Sequence, residues 1–169
     1  DMSEATHLVL PGVGAFATSM EKILGTLPID FMINQIEKGK PFLGICVGMQ
    51  VLAQEGFEYG VHKGLGLVLN SKVIELPQNV AKPHVGWNSI TIEKHHDILN
   101  GISNDSDFYF VHSYFVSKID DSNLIASCAY GVKFPAVFAR DNLIGVQFHP
   151  EKSQNNCDKL LRNFVELIA

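Results

Sequence analysis

Pro41-Phe42-Leu43-Gly44-Ile45-Cys46-Val47-Gly48-Met49-Gln50 is the stretch that decides how this chain is read. An apolar run reads as a buried strand and stops at a cysteine with glycines two residues away on both sides. Val47 to Gln54 then reads as a short helix ending near Gly56. A cysteine between a strand and a helix sits on a tight turn that presents its thiol, and a helix N-terminus favours the thiolate. The amide of Val47, the residue after the thiol, would point at a developing oxyanion.

A hundred residues downstream a second apolar run, Ile144-Gly145-Val146-Gln147-Phe148, ends in His149-Pro150-Glu151. In extended chain, positions i and i+2 point to one side, so His149 and Glu151 can interact. Such a pair supplies a base and its orienter, and with Cys46 completes the set for nucleophilic acyl transfer. A thiolate paired with His149 should form well below the free-thiol pKa of about 8.5. Cys128 and Cys157 read instead as small apolar core residues.

Outward from these two runs, Leu8 to Leu10 reads as a buried strand and Pro11 to Gly14 as a turn. Phe16, Met20, Ile23 and Leu24 follow helical spacing up to Gly25, and Ile29, Met32, Ile33 and Ile36 repeat it up to Gly39. The pattern then changes. Leu67–Leu69, Val73–Leu76, Ser89–Ile92, Phe108–Val116, Leu124–Ala129, Ala136–Ala139 and Leu143–Phe148 read as strands, with a hairpin at Asp141-Asn142. Cys157, Leu160, Leu161, Phe164, Val165 and Ile168 share one face of a closing helix, with Ser153 or Asn155 as its cap. Helix alternates with strand first and strands cluster later, which predicts an α/β sheet with a strand-rich excursion before a final helix.

The 169 residues suit one domain over 1–169, and 46% hydrophobic with 18% charged residues suits a globular one. A formal charge of −5, without a basic stripe, argues against a nucleic-acid surface. No apolar run approaches membrane-helix length. Three scattered cysteines without a Cys-x-x-Cys pair predict neither a disulfide framework nor a metal site, and a reducing, cytoplasmic setting follows.

Other polar segments compete for attention. Gly12-Val13-Gly14-Ala15-Phe16-Ala17 matches the loose Gly-x-Gly-x-x-Ala dinucleotide fingerprint. Pro11 directly before it weakens that match, as does Asp30, the acidic residue near the required distance, which lies in a helical pattern. A flexible turn whose amides face the thiol is the better reading. His95-His96-Asp97 reads as a solvated loop. His112-Ser113-Tyr114 closes a strongly apolar strand, and Trp87 suits a core or an interface equally.

Taken together, LPGVGAF, PFLGICVGMQ, KGLGL, KPHVGWNSI, YFVHSY and GVQFHPEKS, in this order from Leu10 to Ser153, resemble the class I (triad) glutamine amidotransferases. Within them, PHVGWN and YFVHSY resemble the glutaminase subunits of imidazole glycerol phosphate synthases. The resemblance implies a flavodoxin-like, mostly parallel central sheet flanked by helices, with an added antiparallel strand region. It implies a Cys46, His149, Glu151 triad that hydrolyses glutamine through a γ-glutamyl thioester, with an oxyanion site from the backbone of Val13, Gly14 and Val47. Glutamine would be held by Gly14, Gln50, His112, Ser113 and Tyr114, without a cofactor. The implied partner is a (β/α)₈-barrel cyclase subunit in a heterodimer, near Trp87 and Lys152. It receives the ammonia and makes imidazole glycerol phosphate and an aminoimidazole carboxamide ribotide for histidine biosynthesis.

Val47 departs from the usual leucine of the family, which matters little where the amide does the work. Family members also place a strand, a helix and a second strand ahead of the LPGVG segment, a βαβ-sized piece of roughly 35–45 residues. It is not seen before Leu8, and its true absence predicts a poorly soluble or swapped protein. Residues 58–64 and 130–134 look like paralogues that supply ammonia for amination of a bacterial surface sugar. A non-catalytic regulatory subunit on the same fold and a stand-alone cysteine hydrolase are the readings from other classes.

Overall fold

The computed structural model describes residues 3–167. In chain order it forms β1 (Leu8–Gly12), α1 (Phe16–Thr26), α2 (Ile29–Glu37), β2 (Phe42–Cys46), α3 (Val47–Gln50), β3 (Ala53–Gly56), β4 (His62–Lys63) and β5 (Val68–Glu75). There follow β6 (His84–Ile92), β7 (Asp107–His112), β8 (Tyr114–Val116), β9 (Leu124–Ala129), β10 (Lys133–Arg140), β11 (Leu143–Val146) and α4 (Gln154–Glu166).

Seven strands make the main sheet in the order β1-β2-β11-β10-β9-β6-β7, and β4-β3-β5-β8 make a smaller one. β2 is central to the chemistry. It pairs in parallel with β1 on one side and β11 on the other. Every residue of β2 and β11 is buried, the signature of strands covered on both faces. The short helix α3 packs over β1, β2 and β11. A stacked pair, Phe108 and Phe148 at 4.0 Å, joins the antiparallel end of the sheet to the segment after β11.

The α/β architecture with an antiparallel addition is as expected, but parallel pairing in the main sheet is confined to β1, β2 and β11; β10, β9, β6 and β7 all pair antiparallel. The two-residue hairpin at Asp141-Asn142 explains the switch, since so short a connection can only reverse the strand. Asp141 takes φ 54° there.

Other expectations shift for physical reasons. The helix predicted over 47–54 ends at Gln50, and Ala53–Gly56 is a strand. Its backbone is captured across space: Leu65 N donates to Val51 O, Gly66 N to Ala53 O and Val68 N to Leu52 O. The strands predicted at 67–69 and 73–76 are one strand, β5, which passes through Asn70 at φ 57°. The strand predicted over 108–116 is two, because Ser113 separates β7 of the main sheet from β8 of the smaller one. β6 runs back to His84, so the PHVGWN segment lies in a strand.

Among the helices, Gly25 lies inside α1 rather than ending it. Phe16, Met20 and Ile23 are buried but Leu24 is exposed. In α4, Cys157, Leu160 and Phe164 are buried and Val165 is exposed, while Ile168 lies outside the described residues. Ser153 stands at the N-cap position without capping through its side chain. Its hydroxyl donates to His149 O at 2.7 Å and accepts from Tyr109 N at 3.0 Å, so it ties β7 to the residues after β11. No described helix is long and apolar enough to cross a membrane.

Candidate active site

Cys46 ends β2 and opens α3 with φ 53° and ψ −112°. A non-glycine residue in that region carries strain of about 1–3 kcal/mol, tolerated where the surroundings over-determine it. Here they do. A Cβ on Gly44 would stand 2.6 Å from the Gly48 carbonyl oxygen, and one on Gly48 would run into the Leu10 carbonyl oxygen. Only glycines let β1, β2 and α3 approach this closely. The parallel register puts Gly12 opposite Cys46, so Val13 and Gly14 follow directly beyond the thiol. Gly14 holds φ 99°, as a turn residue.

His149 follows β11, and its amide donates to Tyr109 O at 2.8 Å. Its Nδ1 lies 2.7 Å from Glu151 Oε1. A carboxylate can only accept, so Nδ1 carries the proton and Nε2 presents a lone pair. Nε2 is buried and has no hydrogen-bond partner among the described residues. A buried ring nitrogen left open in this way is suited to take a proton from a neighbour.

Cys46 and His149 line one cavity of about 410 Å³ together with Val13, Gly14, Val47, Gln50, His112, Ser113 and Tyr114. All the residues expected for the triad, oxyanion and glutamine subsites border it except Glu151, which orients His149 from behind and has a half-exposed side chain. Sγ of Cys46 lies 3.9 Å from Val111 O and 3.7 Å from Gln147 Nε2.

Electrostatics overturn one expectation. Burial pushes the Cys46 thiol up to about 11, opposed by the Val47 amide, raised further by Glu151, and lowered by Gln147 and Lys152. A short four-residue helix and one amide do not offset desolvation of a cysteine that is 3% exposed. The buried thiol of the resting site is therefore held protonated at neutral pH.

Behind the cavity wall lies a buried polar row. His112 Nδ1 donates to Tyr114 O at 2.9 Å, which leaves its Nε2 to accept from His84 Nδ1 at 3.1 Å. His84 Nε2 in turn accepts from Asn88 Nδ2 at 3.2 Å, and the His84 ring stacks on Tyr130 at 3.9 Å. Burial holds His84 below its ordinary value and takes His112 down to about 3, so both stay neutral. Gln50 Nε2 donates to Tyr114 O at 2.7 Å and to Gln147 Oε1 at 3.1 Å. With both its N–H bonds used, only the oxygen of Gln50 can meet a donor from a ligand.

Two residues at the site, Glu58 and Gln147, are not singled out by a reading of the sequence, and a third, Lys152, has a further place there. Glu58, at the tip of the β3–β4 hairpin, lines the cavity and accepts from Phe16 N at 2.7 Å. It thereby caps α1 from outside the helix, since Ala15 offers no side-chain cap. Nothing in its neighbourhood in the sequence marks it. Gln147 is fully buried beside Cys46, and its signal is legible as the one polar residue within an apolar run. Lys152, expected at a partner surface, also borders the cavity.

The dinucleotide alternative fails here. Asp30 lies in α2, and the N-terminus of α1, where a phosphate would sit, is occupied by the Glu58 carboxylate. His95 and Asp97 are exposed, and half-buried His96 accepts at Nδ1 from Ile98 N at 3.1 Å to start a short 3₁₀ turn. Trp87 is 47% exposed and packs edge-on to Tyr109 at 5.9 Å; Lys152 Nζ lies 5.6 Å from the same ring. Cys128 and Cys157 are buried and free. No cluster of His, Cys, Asp and Glu able to hold a metal ion occurs among the described residues.

Known proteins are similar to this chain in sequence and in fold. A family model described as glutamine amidotransferase class-I matches residues 2–167. A relative from Aquifex aeolicus, named imidazole glycerol phosphate synthase subunit HisH, is 46% identical over 96% of this chain and 78% of its own length. A protein of the same name from Desulfitobacterium hafniense is 49% identical over 93% of this chain and 74% of its own. In fold, the chain is similar to the crystal structure of a glutamine amidotransferase from Thermotoga maritima, with TM-score 0.65 and 16% identity, over 98% of this chain and 65% of that one. The chain belongs to the class-I glutamine amidotransferase family.

Proposed function

We propose that this chain is the glutaminase subunit of an imidazole glycerol phosphate synthase. It hydrolyses glutamine to glutamate and ammonia and passes the ammonia to a (β/α)₈-barrel cyclase subunit. The observation that carries the chemistry is Cys46 and His149 on one cavity, with His149 Nε2 open and Nδ1 held by Glu151. The names of the relatives carry the pathway. The whole span acts as one amidotransferase domain, and a reduced thiol nucleophile suits a cytoplasmic enzyme.

In this reading His149 Nε2 takes the Cys46 proton as Sγ attacks the side-chain carbonyl carbon of glutamine. The tetrahedral oxyanion is met by backbone amides at Val47 and at the Val13-Gly14 turn. The imidazolium then returns its proton to the departing nitrogen, the C–N bond breaks, and ammonia leaves a γ-glutamyl thioester. Water attacks next, with His149 again as base; the C–S bond breaks and glutamate departs. Glu58 supplies the negative charge that complements the ammonium of glutamine, and Lys152 a positive charge on the same cavity. Trp87, Tyr109 and Lys152 form the patch on which the barrel docks, with an apolar ring exposed as interface anchors are.

The deciding experiment measures glutamate release from glutamine by the chain alone and with a histidine-pathway barrel synthase carrying its ribonucleotide ligand. Weak release alone and strong stimulation in the complex is the expected result. A folded, glutamine-binding chain with no stimulation would point to the surface-sugar paralogues instead.

A further inference from the structure

We propose that Gln147 is the donor that stabilises the Cys46 thiolate, and that a one-way hydrogen-bond row fixes its amide in that sense. The inference rests on the glutaminase reading for its use, though not for its geometry.

The Tyr114 carbonyl can only accept a hydrogen bond. Gln50 must therefore turn its nitrogen toward it, at 2.7 Å. The second N–H of the same nitrogen faces the Gln147 side chain at 3.1 Å, which must present its oxygen. The amide nitrogen of Gln147 is then left facing Cys46 Sγ, at 3.7 Å. Turning the Gln50 amide would set acceptor against acceptor at the Tyr114 carbonyl, and turning Gln147 would set donor against donor at Gln50. Behind Tyr114, the His112, His84 and Asn88 contacts hold the carbonyl from the other side.

Gln147 is 0% exposed and Gln50 3% exposed, so neither amide can satisfy itself with solvent by turning over. A neutral thiol draws little from an N–H donor; a thiolate draws much more, because hydrogen bonds to ionised acceptors are about twice as strong. The contact therefore strengthens as His149 takes the proton, which is the moment at which the buried negative charge must be accommodated. It acts among the Val47 amide and the charged or titratable groups lining the cavity, His149, Lys152, Glu58, His112 and Tyr114, with Glu151 behind His149.

The test is the pH dependence of iodoacetamide labelling at Cys46, read by peptide mass spectrometry in the full chain, alongside steady-state glutamate release. Gln147→Met removes the donor without adding charge. Its labelling profile should move up by about one pH unit, and kcat should fall about tenfold with KM within about twofold. Gln50→Met leaves Gln147 and Cys46 in place but frees the amide to turn over, and should shift the profile the same way by less. Thermal melts establish that each variant is folded. Unmoved profiles in folded variants overturn the proposal; if Gln147→Met does not fold, an unmoved Gln50→Met profile does so alone. A shifted profile together with glutamate release that survives Cys46→Ala supports the sulfur contact while removing Cys46 from the glutaminase reaction.

Discussion

The two ends of the main sheet are built on opposite plans. β1, β2 and β11 run parallel, and β2 and β11 are buried throughout. β6 and β7 run antiparallel, with His84, Phe108, Phe110 and His112 turned inward while Val85 and Trp87 face solvent. The parallel end brings Cys46 and the residues leading to His149 to adjacent strand ends, where loops can leave the sheet. The antiparallel end carries part of the cavity wall at Val111 and His112 and, along the same strands, a patch at Tyr109 and the exposed Trp87. The thiol and its histidine are thus placed where the backbone tolerates least change, and the exposed patch where it tolerates more.

That contrast can be broken at its strongest point first. Cys46→Ala should reduce glutamate release at least about 10⁴-fold in the complex while leaving the melting temperature close to that of the parent protein. Glu151→Gln should lower kcat about 10²-fold, less than loss of a fully buried orienter, because the half-exposed carboxylate leaves room for water to replace it. In stability, Gly48→Ala should destabilise by about 3 kcal/mol in urea titrations, since the new methyl meets the Leu10 carbonyl in rigid backbone. Trp87→Ala, at the opposite end, should stay within about 1 kcal/mol of the parent yet weaken stimulation by the barrel. A large stability loss in that variant would mean the patch is core rather than interface.

The cavity wall at the antiparallel end also predicts a pH dependence. His112 is neutral when folded, with its pKa taken down to about 3, and titrates near its ordinary value when unfolded. Between those two values the unfolded chain binds more protons, so stability is complete above about pH 6.5 and declines as pH falls toward 3. Urea midpoints measured from pH 7 to 4 should fall, and the fall should be shallower in His112→Gln.

Local signals suffice where one residue type and its neighbours settle the backbone. The glycines around Cys46, the apolar runs at 41–45 and 143–148, and the two-residue hairpin are legible for that reason. They fail where distant backbone captures a segment. Ala53–Gly56 has helical spacing behind it, yet pairs with β5 because residues 64–68 return beside it. The raised Cys46 thiol departs from expectation for a related reason: the helix N-terminus is visible in the sequence, but the burial that outweighs it is not.

By itself, then, the sequence determined the strand–thiol–helix turn, the His149 and Glu151 pair and the change from alternating to clustered strands. These depend on steric limits and periodicities within a few residues of each other. Tertiary structure alone decided that Glu58 reaches the cavity and caps α1, that Gln147 faces Cys46, and that Trp87, Tyr109 and Lys152 form one patch. Each of those depends on which strands become neighbours and which faces are covered, a property of the assembled sheet rather than of any local stretch of chain.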